Sequence, residues 1–201
     1  MPSIYDLKPK FQNLLRPLTT QLAKMGVTAN QVTVLAMLIS FAAGGLIFSF
    51  STQKWPLLTI PLVLFIRMAL NAVDGMLARE HNMKSPLGAI LNELGDVLSD
   101  VALYLPLALI GGVNASWMVL VVLFAVISEM TGVVAIQIGA SRRYDGPMGK
   151  SDRAFLFGAI GLALGLGLNP TPWLDYLLIA IFLLLCLTIY NRARKALGEL
   201  A

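Results

Sequence analysis

Long apolar runs separated by short polar segments dominate the chain. They predict six membrane-spanning helices, at roughly residues 31–51, 55–78, 86–110, 116–140, 153–168 and 172–190. Most of these runs approach the ~20 residues that a helix needs to cross the hydrocarbon core of a bilayer. Ser85-Pro86 and Thr171-Pro172 each place a capping residue before a proline, which is typical of a helix start. The expected fold is therefore an all-α membrane protein.

In the first 26 residues, apolar residues recur at every third or fourth position. This stripe comprises Ile4, Leu7, Phe11, Leu14, Leu15 and Leu18, with Lys8, Lys10 and Arg16 between its members. It predicts an amphipathic helix in the membrane interface, and a solvent-facing amphipathic segment is the alternative. Pro9 and Pro17 are expected to interrupt or end this helix. With a bundle at about 31–190 and a cytoplasmic tail at 191–201, one transmembrane domain is expected over residues 1–201.

Composition and charge agree with this assignment. Of the 201 residues, 57% are apolar and 13% are charged, whereas soluble domains carry about half and a quarter, respectively. With six spans, the lysines and arginines outside the spans fall on one side of the membrane, and only Lys54 lies in an opposite loop. The positive-inside rule then places both termini in the cytoplasm.

Polar residues interrupt the apolar pattern between residues 71 and 100. At helical spacing, Arg67, Asn71, Asp74 and Ala78 share one stripe, whereas Gly88, Asn92, Asp96 and Ser99 or Asp100 share another. Polar groups within a membrane span are costly, so this segment is a candidate functional site. Clustered carboxylates need cations, and oxygen-rich clusters suit hard divalent metals such as Mg²⁺. The alternative is a metal-free network in which arginines neutralise the aspartates.

The same residues resemble the signature of the CDP-alcohol phosphotransferase family, D-x-x-D-G-x-x-A-R followed about eight residues later by G-x-x-x-D-x-x-x-D. The chain carries Asn71, Asp74, Gly75, Ala78, Arg79, Gly88, Asn92 and Asp96 in this register, so six of the eight positions match. Residues 27–33 also resemble the segment that opens the first span of such enzymes. The resemblance implies a six-helix enzyme of phospholipid biosynthesis. Such an enzyme moves a phosphatidyl group from a CDP-linked lipid, such as CDP-diacylglycerol, to a hydroxyl acceptor and releases CMP.

The resemblance also implies roles for these residues. Asp74, Asp96, Asn71 and Asn92 occupy the metal-binding positions, for one or two Mg²⁺ or Mn²⁺ ions, and Asp96 corresponds to the general base. Asp74, Gly75, Ala78, Arg79 and Gly88 are the expected CDP-binding residues. A homodimer in the bacterial inner membrane, with its active site on the cytoplasmic side and in contact with membrane lipids, is implied as well. No nucleic-acid partner is expected.

Asn71 and Asn92 depart from the family pattern, which has aspartates at both positions. An amide oxygen can ligate a hard cation but carries no charge. The consequence is one tight metal in place of two, metals recruited with the phosphates of the nucleotide, or loss of catalysis. Glu93 and Asp100 lie within about 60° of arc of Asp96, so each is a candidate replacement ligand. A polar rim or a partner for Arg67 is the alternative.

Three cationic residues are candidates for binding the acceptor or a phosphate. Lys150 and Arg153 lie near the start of the fifth predicted span, where anchoring to anionic lipid is the alternative. Arg67 precedes Asn71 by one helical turn, so it is a candidate source of the positive charge that a second metal would provide.

Two features inside the later spans favour helix packing. Glu129 and Gln137 are expected to form packing hydrogen bonds. A stripe of small residues, Gly158, Gly161 and Gly165, is expected to allow close packing within the bundle, with a dimer contact as the alternative.

Two other functions are alternatives to the transferase. A catalytically silent relative would bind the CDP-lipid without turnover, because both asparagines lie at presumed metal-binding positions. A small ion-coupled transporter would use Asp74, Asp96 and Glu129 as an ion path. Clustering of the carboxylates at one predicted membrane face argues against this path. The pattern encodes no identity for the acceptor alcohol.

Overall fold

The computed structural model describes residues 4–200, with side chains from residue 11 onward. Every regular element in this range is a helix. The α-helices are α1 (Ile4–Lys24), α2 (Ala29–Ser49), α3 (Thr59–Glu80), α4 (Pro86–Tyr104), α5 (Ala115–Gln137), α6 (Lys150–Gly165) and α7 (Trp173–Glu199). Two 3₁₀ turns, Trp55–Leu58 and Leu105–Leu109, precede α3 and follow α4.

Helices α2 to α7 follow the six predicted apolar runs. Among the described residues, four segments are long and apolar enough to cross a membrane: Ala29–Ser49, Trp55–Glu80, Ala115–Gln137 and Trp173–Glu199. Helix α6 has 16 residues, fewer than the ~20 of a typical span. The structure thus confirms an all-helical chain with four candidate spans, and the count of six stays a prediction.

Helix α1 continues through Pro9 and Pro17, so the expectation that these prolines interrupt or end it is wrong. A proline removes one backbone hydrogen bond and kinks a helix, but packing compensates for this loss. Leu15 and Leu22 pack against the cluster that contains the buried Val73. Tertiary contacts therefore hold a helix that local propensity disfavours.

The chain divides into two compact units. Among the described residues, the first comprises residues 4–42 and 63–99, and the second comprises residues 43–62 and 100–200. A cluster of Ala29, Val32, Val73 and Leu77 lies in the core of the first unit. In the second unit, Leu103, Met118, Leu178 and Ile181 are buried.

Pro106 accounts for the end of α4. Because proline has no backbone N–H, it cannot donate to the carbonyl of Ala102, and the chain passes into the 3₁₀ turn Leu105–Leu109. The Ala102 carbonyl faces the backbone of Gly44 on α2 so closely that a side chain at residue 44 would overlap it. Glycine is therefore required at this contact.

The Gly44→Ala substitution should lower the stability of the second unit by about 1–3 kcal/mol, because the added methyl group overlaps backbone atoms that cannot rotate away. Gly45→Ala is the matched control, since a methyl group there meets no atom within 4 Å. Thermal unfolding of the purified protein in detergent measures both variants. Equal unfolding midpoints for the two variants would contradict the predicted contact.

The sequence predicts that Ser85 and Thr171, each followed by a proline, cap the helices α4 and α7, and the structure agrees only for Ser85. The Ser85 hydroxyl accepts a hydrogen bond from the Gly88 N–H at 3.0 Å, and α4 begins at Pro86, as predicted. The prediction that Thr171 caps α7 is wrong, because Pro172 is the residue before the first turn. The Thr171 hydroxyl instead donates to the carbonyl oxygen of Gly112 at 3.2 Å. Helix α7 begins one residue later than predicted, at Trp173, so Thr171 precedes the capping position.

The small-residue stripe of α6 packs within the chain. A Cβ atom at Gly161 would lie 2.8 Å from Ile60, and one at Gly165 would lie 2.6 Å from Leu58. Close packing of α6 against residues 57–60 accounts for these two glycines. A dimer contact stays a prediction.

Candidate functional site

Six of the eight signature residues of α3 and α4 line one cavity of about 320 Å³ in the first unit. Its wall contains Asp74, Gly75, Ala78 and Arg79 from α3, Gly88, Ala89 and Asn92 from α4, Ala29, Asn30 and Thr33 from α2, and Met83, Lys84 and Ser85 from the connection. The structure thus brings together all five predicted CDP-binding residues. Eight residues separate the two halves of the motif in the sequence, and the turn between α3 and α4 brings the two halves together in space.

Two glycines leave room for polar groups in this wall. A Cβ atom at Gly75 would lie 2.8 Å from the Arg79 guanidinium, and one at Gly88 would lie 2.7 Å from the side-chain oxygen of Asn30. Because neither position has a side chain, Arg79 and Asn30 can lie against the helix surfaces. The cavity therefore lies close to the backbones of α3 and α4, and cationic and amide groups also line it.

Asp74 is buried, with 5% of its surface exposed. Its Oδ2 accepts a hydrogen bond from the Thr33 hydroxyl at 2.7 Å. The sequence pattern predicted no site role for Thr33 or Asn30. Their spacing of three residues places both on one face of α2, and the resemblance over residues 27–33 was the available signal.

Asp96 and Asn71 are absent from the described lining of this cavity. The Asn71 side-chain nitrogen donates to Asp96 Oδ1 at 3.5 Å. Arg67, of which 3% is exposed, places Nη2 at 3.9 Å from the same oxygen and donates to the Asp96 carbonyl at 3.5 Å. An amide and a guanidinium thus face the Asp96 carboxylate from α3.

The donor chemistry of these residues fits one hard divalent cation. Asp74 and Asn92 share the cavity and supply carboxylate and amide oxygens, which Mg²⁺ and Mn²⁺ accept. The pair of Asn71 and Asp96 does not fit a second cation, because nitrogen donors already face the carboxylate. Among the described side chains, no group of three or more His, Cys, Asp or Glu residues is placed to hold a metal.

The two candidate replacement ligands lie outside the described cavity lining. Glu93 is half-buried on α4. Asp100, 6% exposed, accepts hydrogen bonds from Arg153 Nε at 3.2 Å and Nη2 at 3.0 Å within the second unit. Asp100 is therefore the partner of Arg153 in this structure, and its role as a metal ligand stays a prediction.

Arg153, predicted to bind an acceptor or a phosphate, belongs to a buried cluster of charged residues. We use the name Glu129 cluster for Asp100, Glu129, Arg142, Arg153 and Arg192. The Glu129 carboxylate lies 2.9 Å from Arg142, 3.0 Å from Arg153 and 3.2 Å from Arg192. The sequence pattern predicted packing hydrogen bonds at Glu129 but did not indicate its arginine partners.

The segment before α6 is held by a second set of ion pairs. Asp145 lies 2.7 Å from the Lys195 ammonium and 2.8 Å from the Arg143 guanidinium. Hydrogen bonds from these two groups, the Lys195 bond foremost, hold the pKa of Asp145 below its ordinary value. Lys150 is half-buried in the first turn of α6.

Comparison with known proteins identifies several relatives. Residues 26–192 match the family model described as CDP-alcohol phosphatidyltransferase. Inner membrane protein YnbA of Escherichia coli is 46% identical over 195 residues, which cover 97% of this chain and 96% of that protein. Archaetidylinositol phosphate synthase of Pyrococcus horikoshii is 33% identical over 105 residues, or 52% of this chain and 53% of that enzyme.

The fold is similar to that of the Mycobacterium tuberculosis phosphatidylinositol phosphate synthase. The form with bound CDP-DAG has a TM-score of 0.69 at 20% identity and matches over 91% of each chain. The form in complex with manganese and citrate has a TM-score of 0.71 at 20% identity, over 90% of this chain and 87% of that one. The match of residues 26–192 to the family model shows that this chain belongs to the CDP-alcohol phosphatidyltransferase family.

Proposed function

We propose that this protein is an integral membrane transferase of phospholipid biosynthesis. It moves a phosphatidyl group from a CDP-linked lipid, such as CDP-diacylglycerol, to a hydroxyl acceptor and releases CMP. The observation that carries the proposal is the convergence of all five predicted CDP-binding residues on one cavity. Membership of the family supports it.

The cavity has the properties of a nucleotide site. Its volume of about 320 Å³ falls in the range of small-molecule sites, roughly 300–1,000 Å³. Arg79 and Lys84 supply positive charge for the two phosphates of the donor. The glycines at positions 75 and 88 let the nucleotide approach the helices closely.

The reaction replaces the phosphoanhydride bond of the donor by a phosphate ester bond to the acceptor. The acceptor oxygen attacks the phosphorus that carries the lipid, and the bond from this phosphorus to the bridging oxygen breaks. CMP then leaves with the electron pair. Asp96 is the proposed general base that takes the proton of the acceptor hydroxyl. A divalent cation, when bound by Asp74 and Asn92, would neutralise negative charge on the pyrophosphate.

The proposed membrane arrangement has six spans, with α4 and α6 added to the four candidate spans. Cationic residues at both termini, in the turn after α3 and before α6 support a cytoplasmic location for the termini and the site. Helix α1 then lies at the membrane interface, in contact with membrane lipids. The protein is further proposed to form a homodimer in the bacterial inner membrane.

Binding of a CDP-lipid without turnover is the second candidate function. One observation favours it, because amides occupy two of the four positions at which the family pattern has carboxylates. Ion transport is disfavoured, since three arginine side chains surround the Glu129 carboxylate.

The purified protein, incubated with labelled CDP-diacylglycerol, Mn²⁺ and a panel of polyols, amino alcohols and their phosphate esters, should release CMP with at least one acceptor. Release should depend on that acceptor and should exceed hydrolysis in its absence. CDP-diacylglycerol binding without release for any acceptor would favour the silent protein. Absence of both binding and release would contradict both candidates.

A further inference from the structure

We propose that Arg67 and Asn71 replace a second divalent cation at this site, so that the protein binds a single cation at Asp74 and Asn92. The inference rests on the proposed transferase function and specifies the charge arrangement of the same site.

Two side chains of α3 face Asp96 Oδ1. The Asn71 amide nitrogen lies 3.5 Å from this oxygen, and Arg67 Nη2 lies 3.9 Å from it. Arg67 also donates to the Asp96 main-chain carbonyl at 3.5 Å. Positive and partly positive groups of α3 therefore occupy the side of Asp96 on which a cation shared with residue 71 would bind.

The side-chain chemistry of residue 71 also disfavours a second cation. An aspartate there would place a second carboxylate about 3.5 Å from Asp96, which is unfavourable unless a cation lies between the two. Asparagine removes one negative charge and supplies an N–H donor in nearly the same volume. The contact between Asn71 and Asp96 is thus stable without a metal.

The burial of Arg67 disfavours a second cation as well. A guanidinium stays protonated, and only 3% of this residue is exposed, so it needs a negative partner nearby. Asp96 meets this need as a charged partner. A divalent cation on the same carboxylate would lie close to a buried positive charge and would be repelled by it.

The charge that remains at the cavity suits a single cation. Residues 71, 74, 92 and 96 carry two negative charges, where the family pattern carries four. With Asp96 balanced by Arg67, Asp74 is the signature carboxylate in the cavity wall, beside Asn92. One cation, together with Arg79 and Lys84, suffices for Asp74 and the donor phosphates.

The stoichiometry of Mn²⁺ binding tests the proposal. The full-length protein, purified in detergent and saturated with CMP, should bind one Mn²⁺ per chain when free Mn²⁺ is measured by electron paramagnetic resonance. The double variant Arg67→Met/Asn71→Asp should bind a second Mn²⁺. Two Mn²⁺ per wild-type chain, or none, would overturn the proposal.

Thermal unfolding gives a readout that is independent of activity. Asn71→Asp should lower the unfolding midpoint in EDTA by roughly 3–8 °C, and the double variant should recover this loss when Mn²⁺ is added. Asn82→Asp makes the same chemical change on an exposed turn and should shift the midpoint little. An Asn71→Asp midpoint equal to that of the wild type in EDTA would overturn the proposal.

Parallel assays separate this inference from the proposed function. One Mn²⁺ per chain without CMP release for any acceptor would contradict the transferase and leave the charge assignment intact. Two Mn²⁺ per chain, together with acceptor-dependent CMP release, would contradict the replacement of a second cation by Arg67 and Asn71. The proposed transferase function would then stand.

Discussion

Asp74→Asn should lower the rate of CMP release by about 10³-fold and leave the fold intact. The Asp74 carboxylate lies in the wall of the cavity that signature residues of α3 and α4 line. There it would face the phosphates of the CDP-linked donor and the cation bound to them. Asparagine has nearly the same shape, and its oxygen can still accept the hydrogen bond from Thr33. The substitution therefore removes charge without removing the contact that orients the side chain.

Single-turnover CMP release with saturating CDP-diacylglycerol and Mn²⁺ measures this effect, and the thermal unfolding midpoint verifies the fold. Asp175→Asn on the first turn of α7 is the matched control and should retain the wild-type rate. Thr33→Val removes only the hydroxyl that orients Asp74, so it should lower the rate less than Asp74→Asn does. A rate for Asp74→Asn within tenfold of the wild type would refute a role for this carboxylate in turnover.

Glu129→Gln should destabilise the second unit by about 3–5 kcal/mol, because loss of one buried partner leaves charges uncompensated. The Glu129 carboxylate contacts three guanidinium groups, and those of Arg153 and Arg192 belong to residues with 2% and 1% exposure. A neutral amide satisfies part of the hydrogen bonding but balances none of the charge.

The unfolding midpoint in detergent measures this loss against Glu80→Gln. Glu80 pairs with Arg16 at 3.1 Å, but both side chains are substantially exposed, at 38% and 50%. An exposed pair contributes about 0–1 kcal/mol, so this control should be nearly neutral. The double variant Glu129→Met/Arg192→Met should lose less stability than the sum of the losses of its two single variants. Equal midpoints for Glu129→Gln and Glu80→Gln would contradict the importance of the buried cluster.

Prediction from the sequence succeeded where local pattern decides structure. Hydropathy located α2 to α7, and six of the eight signature residues line one cavity. Prediction failed at Pro9, Pro17 and Thr171, because α1 is held by packing through both prolines and α7 begins one residue later than its start signal indicates. The interfacial position of α1, the metal-binding residues and the dimer stay predictions, because no contact within a single chain tests them.

Helix periodicity and motif register are short-range properties, because residues three or four positions apart share a helix face whatever the rest of the chain does. These properties were enough to predict the helices, the family signature and the position of Arg67 and Asn71 on one helix face. The partner of each buried charge is a long-range property. Arg153 meets Asp100 from 53 residues away, and Arg192 meets Glu129 from 63 residues away. Only the packing of separate helices decides such pairs, since a buried guanidinium binds whichever carboxylate the fold brings within reach.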